Sequence, residues 1–191
     1  MKVVAVNGSG RKGGNTAALI EAVFVPLREA GHECVLIELA GKDIRGCTGC
    51  GVCREKLDRQ CHGRRDDGNA VIDELLSADA VVLGSPTYFA DVTAETKAII
   101  DRAGYVSRGN GNLFARKPGA AVVAVRRAGA IHAFDTINHF FLIGEMVVVG
   151  SSYWNVGVGG PKGAVEGDEE GIATMRRLGE NLAWVMDRLA E

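Results

Sequence analysis

Residues 2–22, KVVAVNGSGRKGGNTAALIEA, constrain what this chain can fold into more than any other stretch. Val3, Val4, Ala5 and Val6 form an uncharged, mostly β-branched run, the composition of a strand buried on both faces. The run breaks at Asn7-Gly8, and Gly10, Gly13 and Gly14 follow at once. Asn15-Thr16 then opens AALIEAV, where Ala18, Leu19 and Ala22 recur at helical spacing. Either Asn15 or Thr16 can cap that helix by accepting a bond from an orphan N–H. Strand, glycine loop and helix start in this order aim free N–H groups and a positive helix end at one point. A phosphate is the commonest ligand there.

The loop satisfies G-x-G-x-x-G through Gly8, Gly10 and Gly13, which on its own is a weak dinucleotide fingerprint. A Walker A loop is excluded, because no Lys-Ser or Lys-Thr pair follows the glycines. Ser9, Arg11, Asn15 and Thr16 supply hydroxyl and side-chain N–H donors. A terminal phosphomonoester dianion gains from such charge-assisted donors, whereas a pyrophosphate wants bare backbone. Two alternatives stay open. In an NAD-dependent dehydrogenase, Glu38 at the end of the next strand would be the ribose-binding acid. In a plain βα turn, the glycines would only permit close packing.

With 191 residues, 47% hydrophobic and 24% charged, the sequence reads as one domain with a sizeable core. A net charge of −2 argues against a nucleic-acid footprint. No apolar run approaches the roughly 20 residues of a membrane span. The chain enters a strand at once, with no signal peptide, so a cytoplasmic protein is expected. Its five cysteines are then thiols, metal ligands or redox groups, not structural disulfides.

Along the chain, a helix to about Ala30 precedes a second strand over residues 33–39. Asp66-Asp67 with Asn69 can cap a helix through Val71, Ile72, Leu75 and Leu76. Residues 79–85 form a third strand that ends in Ser85-Pro86-Thr87-Tyr88-Phe89. A helix over 92–102 and a polar, glycine-rich connection over 104–117 come next. Residues 119–125 form the fourth strand, 130–144 a helix, and 146–150 the fifth strand. Tyr153-Trp154-Asn155 and a glycine-rich loop over 156–167 precede the final helix. This alternation predicts an α/β fold: an open five-stranded parallel sheet with helices on both faces. Ligands of such sheets sit beyond the carboxyl ends of the strands. That rule gathers residues 9–16, 86–89 and 126–129 around one site suited to a phosphate joined to a flat ring.

Residues 46–67, GCTGCGVCREKLDRQCHGRRDD, form a cysteine-rich insertion without periodicity or core. Cys47, Cys50 and Cys53 stand at C-x2-C-x2-C, and Cys61 follows after seven residues. Thiolates at this spacing can converge on an iron–sulfur cluster, with Cys61 completing a [4Fe–4S] site. Zinc held by the thiolates, with or without His62, and cysteines without metal are the alternatives. The loop leaves the carboxyl end of the second strand and is expected on the same rim as the phosphate loop.

Taken together, GSGRKGGNT, CTGCGVC and GSPTYF resemble the flavodoxin-like NADPH-dependent FMN reductase family, and in particular its iron–sulfur flavoprotein branch. The resemblance covers nearly the whole chain and implies a single FMN-binding domain over 1–191. It implies that Ser9, Arg11, Asn15 and Thr16 hold the FMN phosphate. Pro86, Thr87, Tyr88 and Phe89 would contact the isoalloxazine, and Arg127, Ala128 and Gly129 would border it. The implied activity is FMN-dependent oxidoreduction from NAD(P)H or a ferredoxin-like donor to a small-molecule or protein acceptor, with the [4Fe–4S] cluster as relay. No acid–base triad is expected, since the flavin carries the chemistry. A homo-oligomer, dimer or tetramer, is implied as well. A flavin electron carrier or redox sensor without turnover is the non-enzymatic alternative.

Overall fold

The structure, a computed structural model, describes residues 1–190. Its strands are β1 (Lys2–Asn7), β2 (Glu33–Glu38), β3 (Ala80–Pro86), β4 (Pro118–Val125), β5 (Val147–Val148) and β6 (Val156–Val158). Its helices are α1 (Asn15–Glu29), α2 (Val52–Lys56), α3 (Gly68–Ser77), α4 (Ala94–Gly109), α5 (Ala130–Ile143) and α6 (Glu169–Ala190). The sheet is parallel throughout, in the order β2-β1-β3-β4-β5, with β6 also on β4. This is the flavodoxin-like strand order, whose direction of winding reverses between β1 and β3.

Strand periodicity divides the core into two halves. Val4 and Val6 of β1 join Val81, Leu83, Ala121 and Val123 on the face covered by α3, α4 and α5. Val3 and Ala5 join Val82, Ala120 and Val122 on the opposite face, under α1 and α6. Because both faces are covered, the strands read as continuous apolar runs and not as alternating ones.

Four local expectations are corrected. The N-cap of α1 is Gly14 in an extended conformation, with no side-chain bond. Asn15 and Thr16 thus lie inside the first turn, and neither caps it. Helix α4 runs through Gly104 to Gly109 and absorbs part of the expected connection. Just past it, Phe114 is buried edge-on against Phe140, with ring centroids 5.5 Å apart.

The fifth strand is interrupted. β5 pairs with Pro118-Gly119 of β4, while β6 pairs with Val123, Ala124 and Val125. Between them the chain bulges out, and Asn155, 1% exposed, donates its side-chain amide to the Ala121 carbonyl at 2.9 Å. One side chain thereby satisfies the ladder where backbone is missing.

The cysteine insertion is not coreless either. It contains α2, and Cys53 and Cys61 are buried within the α3/α4/α5 core. Small apolar thiols pack well there.

Candidate functional site

The close approach of β1 to α4 sets the geometry of the site. Gly8 N–H donates to the Gly84 carbonyl of β3 at 2.8 Å, and the Thr93 hydroxyl donates to the Gly8 carbonyl at 2.7 Å. A Cβ on Gly8 would overlap the Thr96 hydroxyl, so only glycine lets the strand end pass the start of α4. Thr93 also caps α4 by accepting from the Thr96 N–H.

Beyond Gly8 the loop is braced from within. Ser9 N–H donates to Asn7 Oδ1 at 3.0 Å, and Arg11 N–H donates to Ser9 Oγ at 3.1 Å. Glu38 Oε1 accepts both the Gly13 N–H (2.8 Å) and the Asn7 amide (3.1 Å). The acid that a dinucleotide site would turn toward a ribose is therefore committed to the loop. No side chain caps the first turn of α1, which leaves its N–H groups and positive end directed at the cleft.

That cleft, about 180 Å³, is lined on one side by Ser9, Arg11, Asn15 and Thr16 and on the other by Pro86, Thr87 and Tyr88. Ala124, Val125 and Arg126 from the end of β4 form its floor, and Gly159, Gly160 and Lys162 close it. The Thr87 hydroxyl is buried and has no hydrogen-bond partner among the described residues. Asn15 lines the cleft but is bonded within the protein. Its Nδ2 donates to the Gly159 and Pro161 carbonyls, and its Oδ1 accepts from the Gly163 N–H. Lys162 reaches back to the Lys12 carbonyl at 3.0 Å, placing its ammonium over the glycine loop.

Phe89 and the Arg127–Gly129 turn lie elsewhere. Tyr88 and Asp91 pair across a two-residue turn whose members, Phe89 (φ 48) and Ala90 (φ 64), are both left-handed. Such a conformation is costly for bulky residues. The Phe89 ring projects fully into solvent. Arg127, Ala128 and Gly129 line a neighbouring hollow of about 320 Å³, together with Ile131, Tyr153 and Trp154. Tyr153 and Trp154 stand edge to face there, 4.8 Å apart and more than half exposed. Of the 126–129 loop expected at the site, Arg126 alone lines the cleft, while Ala124, Val125, Gly159, Gly160 and Lys162 were the cleft residues not named from sequence. The signal for three of them was position, since they follow the last strand on the same carboxyl edge.

The cysteine insertion packs along α4 and does not sit on the cleft rim. Cys61 lies against Arg102, and the Cys53 carbonyl accepts from Asn110 just past the end of α4. At 1.5 Å per residue, Arg102 is about 14 Å along the helix from Thr93, and Asn110 about 25 Å. Burial raises the Cys53 thiol above its ordinary range, and Cys61, Cys47 and Cys50 add to that rise. Each of the other three thiols thus lies near enough to Cys53 to oppose its ionisation. Cys50 is exposed and is held below its ordinary range by the Val52 N–H and then by the Thr48 hydroxyl. His62 is bonded to Asp58. Among the described residues no three His, Cys, Asp or Glu side chains are drawn into a metal-holding group.

A buried ion pair anchors this insertion. Arg102 and Asp66 have fully buried side chains and meet at 2.8 Å, and the same Nη1 donates to the Arg45 carbonyl. Burial opposes both charges, but at Asp66 the bonds from Arg102 and from the Arg45 and Gly68 N–H groups outweigh it. Its carboxyl lies below the usual range. Asp67 occupies the N-cap position of α3 but makes no side-chain capping bond, so the capping expected of Asp66, Asp67 and Asn69 is corrected: their side chains bind elsewhere. Asp66 also accepts from Gly68 N–H, Asp67 accepts from Asp43 N–H, and Asn69 exchanges bonds with the Cys61 backbone.

Residues 1–160 match the family model described as NADPH-dependent FMN reductase. A protein of Methanocaldococcus jannaschii named as an iron-sulfur flavoprotein is 35% identical over 193 residues, covering 97% of this chain and 97% of that one. An iron-sulfur flavoprotein of Archaeoglobus fulgidus is 34% identical over 88% of this chain and 82% of its own. Among solved structures, RosB with a bound formylated riboflavin-phosphate intermediate superposes with a TM-score of 0.75 at 18% identity, covering all of this chain and 80% of that one. A flavodoxin from the domain Archaea superposes at 0.65 and 19% identity, over 98% and 99%. The two structures share the fold.

Proposed function

Because the chain belongs to the NADPH-dependent FMN reductase family, we propose that it is an FMN-dependent oxidoreductase drawing electrons from NAD(P)H or a ferredoxin-like donor. One observation carries this reading. The cleft at the reversal of strand order has phosphate donors on one wall and Pro86-Thr87-Tyr88 on the other. Arg11 and Thr16, the open first turn of α1 and the Lys162 ammonium suit a phosphomonoester dianion. The unpartnered Thr87 hydroxyl suits a polar ring edge. When bound, FMN supplies the hydride and single-electron chemistry. The protein's own part would be to hold the phosphate at the loop wall and to line the ring with Pro86, Thr87 and Tyr88. Asn15 acts by keeping the Gly159–Gly163 segment, and so Lys162, over the phosphate. Beside the Arg127–Gly129 turn, Ile131, Tyr153 and Trp154 expose apolar side chains, as does Phe89 nearby, a surface suited to the homo-oligomer that the resemblance implies.

The four thiols fit an iron–sulfur cluster by donor chemistry: all are sulfur, all lie around Cys53, and none is committed to a disulfide. Cys47, Cys50, Cys53 and Cys61 would be its ligands, and the cluster would supply one-electron storage. Calorimetric titration with FMN and riboflavin tests the cofactor assignment. FMN is expected to bind far more tightly, and equal affinities would overturn the phosphate site. Stopped-flow bleaching of the bound flavin by NADH or NADPH tests the enzyme. If neither reduces it while a ferredoxin does, the protein is a carrier. Iron and acid-labile sulfide at about four each per chain are expected in protein purified without oxygen.

A further inference from the structure

Arg102 is among the largest fully buried side chains, at 1% exposure, and the cofactor site makes no use of it. Its surroundings are built around the guanidinium. Gly68 leaves the space: a Cβ there would fall on the guanidinium carbon and on both terminal nitrogens. Asp66 Oδ2 and the Arg45 carbonyl take Nη1 at 2.8 and 3.1 Å, and Cys61 Sγ takes Nε at 3.3 Å. Nη2 is buried and has no hydrogen-bond partner among the described residues.

A guanidinium presents Nε–H and one Nη2–H side by side as a rigid fork. One prong of this fork already points at a cysteine sulfur, and the other is parallel to it. A buried donor without a partner is costly, so the second prong suits an acceptor placed directly beside Cys61 Sγ. Asp66 balances one unit of charge. The pair is then neutral, and what Nη2 lacks is an acceptor atom beside Cys61; an electron-rich sulfur is such an acceptor, and an anionic one makes the stronger bond.

We propose that Arg102 is a positioning residue for the thiolate-bound cluster, one prong fixing Cys61 and the other donating to a neighbouring sulfur of the cluster. This rests on the iron–sulfur reading of the four cysteines. Hydrogen bonds to cluster sulfurs stabilise the reduced, more negative state and raise its potential. Arg102 would thus hold the cluster poised to accept an electron, while Asp66 and Gly68 hold Arg102.

The test uses full-length protein purified without oxygen and labelled with ¹⁵N only in arginine. The reduced wild-type cluster is expected to show hyperfine coupling to an arginine nitrogen, and R102K to lose it. R102K keeps a cation for Asp66 but cannot present a planar fork. Its electron affinity is expected to fall about tenfold, or about 59 mV for a one-electron couple, with iron, sulfide and FMN contents unchanged. A wild-type cluster without arginine coupling, or an R102K cluster that keeps both coupling and potential, overturns the inference and leaves the cluster reading standing. Wild-type protein that binds no iron and sulfide removes the cluster reading, and the inference with it. Should R102K fail to fold, the wild-type coupling alone decides.

Discussion

Asn15 Nδ2 donates to the Gly159 carbonyl at 2.8 Å, tying the first turn of α1 to a segment 144 residues further along the chain. With the bonds to Pro161 and Gly163, one amide organises the whole upper wall of the cleft. Asn15→Ala leaves those groups unpaired and is expected to cost about 1–3 kcal/mol in urea unfolding. FMN affinity should fall about tenfold, as Lys162 loses its support, and riboflavin affinity should barely change. An equal loss for both ligands would assign Asn15 a purely structural part.

Glu38 makes a second, independent test. Its carboxylate serves the Gly13 N–H and the Asn7 amide, both of which Glu38→Gln can still satisfy through its amide oxygen. That variant is expected to bind FMN within about threefold of wild type, less than 0.7 kcal/mol. Glu38→Ala strands two donors and should cost about 1–3 kcal/mol of stability. A variant in which Glu38→Gln switches nicotinamide preference without touching FMN would revive the dinucleotide reading.

At Gly8 the constraint is steric. Gly8→Ala places a methyl group on the Thr96 hydroxyl, an overpacking expected to cost about 1–3 kcal/mol or more. Thr96→Ala removes the obstructing atom, so the double variant should be more stable than the sum of the singles predicts. A double-mutant cycle measures this coupling. Additive effects would place the strain elsewhere.

The Asp66–Arg102 pair predicts an acid limb. The carboxyl lies below its ordinary value in the folded chain. Its contribution is therefore fully present above the unfolded value, about 3.9, and is lost as pH falls through the lower folded one. Asp66→Asn should flatten that part of the stability–pH curve. At neutral pH it strands a buried cation, with an expected loss of about 3–5 kcal/mol. Asp66→Leu combined with Arg102→Met should lose much less. Chemical unfolding between pH 3 and 7 reads both effects.

Much of the fold was legible because a doubly covered parallel sheet writes itself as apolar runs separated by glycine turns. Val3–Val6 and the run from Ala120 to Val125 say strand without reference to anything distant. The broken fifth strand was not legible, since the Asn155 amide that replaces its ladder acts through a carbonyl 34 residues away. Nor was the burial of Arg102, whose charge reads as surface until Asp66, Gly68 and Cys61 are folded around it. Gly104 misled for the opposite reason. It sits inside α4 beside the Phe140 ring, where propensity alone would have the helix end. At the site, Arg11 and Thr16 could be named from the loop they occupy. Lys162 could not, because its place depends on Asn15 bonds that span the chain.

The interruption of the outermost strand also bears on how copies of this chain behave when crowded. An uninterrupted edge offers a long row of unpaired N–H and C=O groups on which a strand of another molecule can grow. On the β4 side that edge consists of pieces of two and three residues, separated by a bulge that carries Tyr153 and Trp154, while β2 at the opposite edge is continuous over six residues. Neither piece is long enough to template a fibril, and the bulge prevents the two from acting in register.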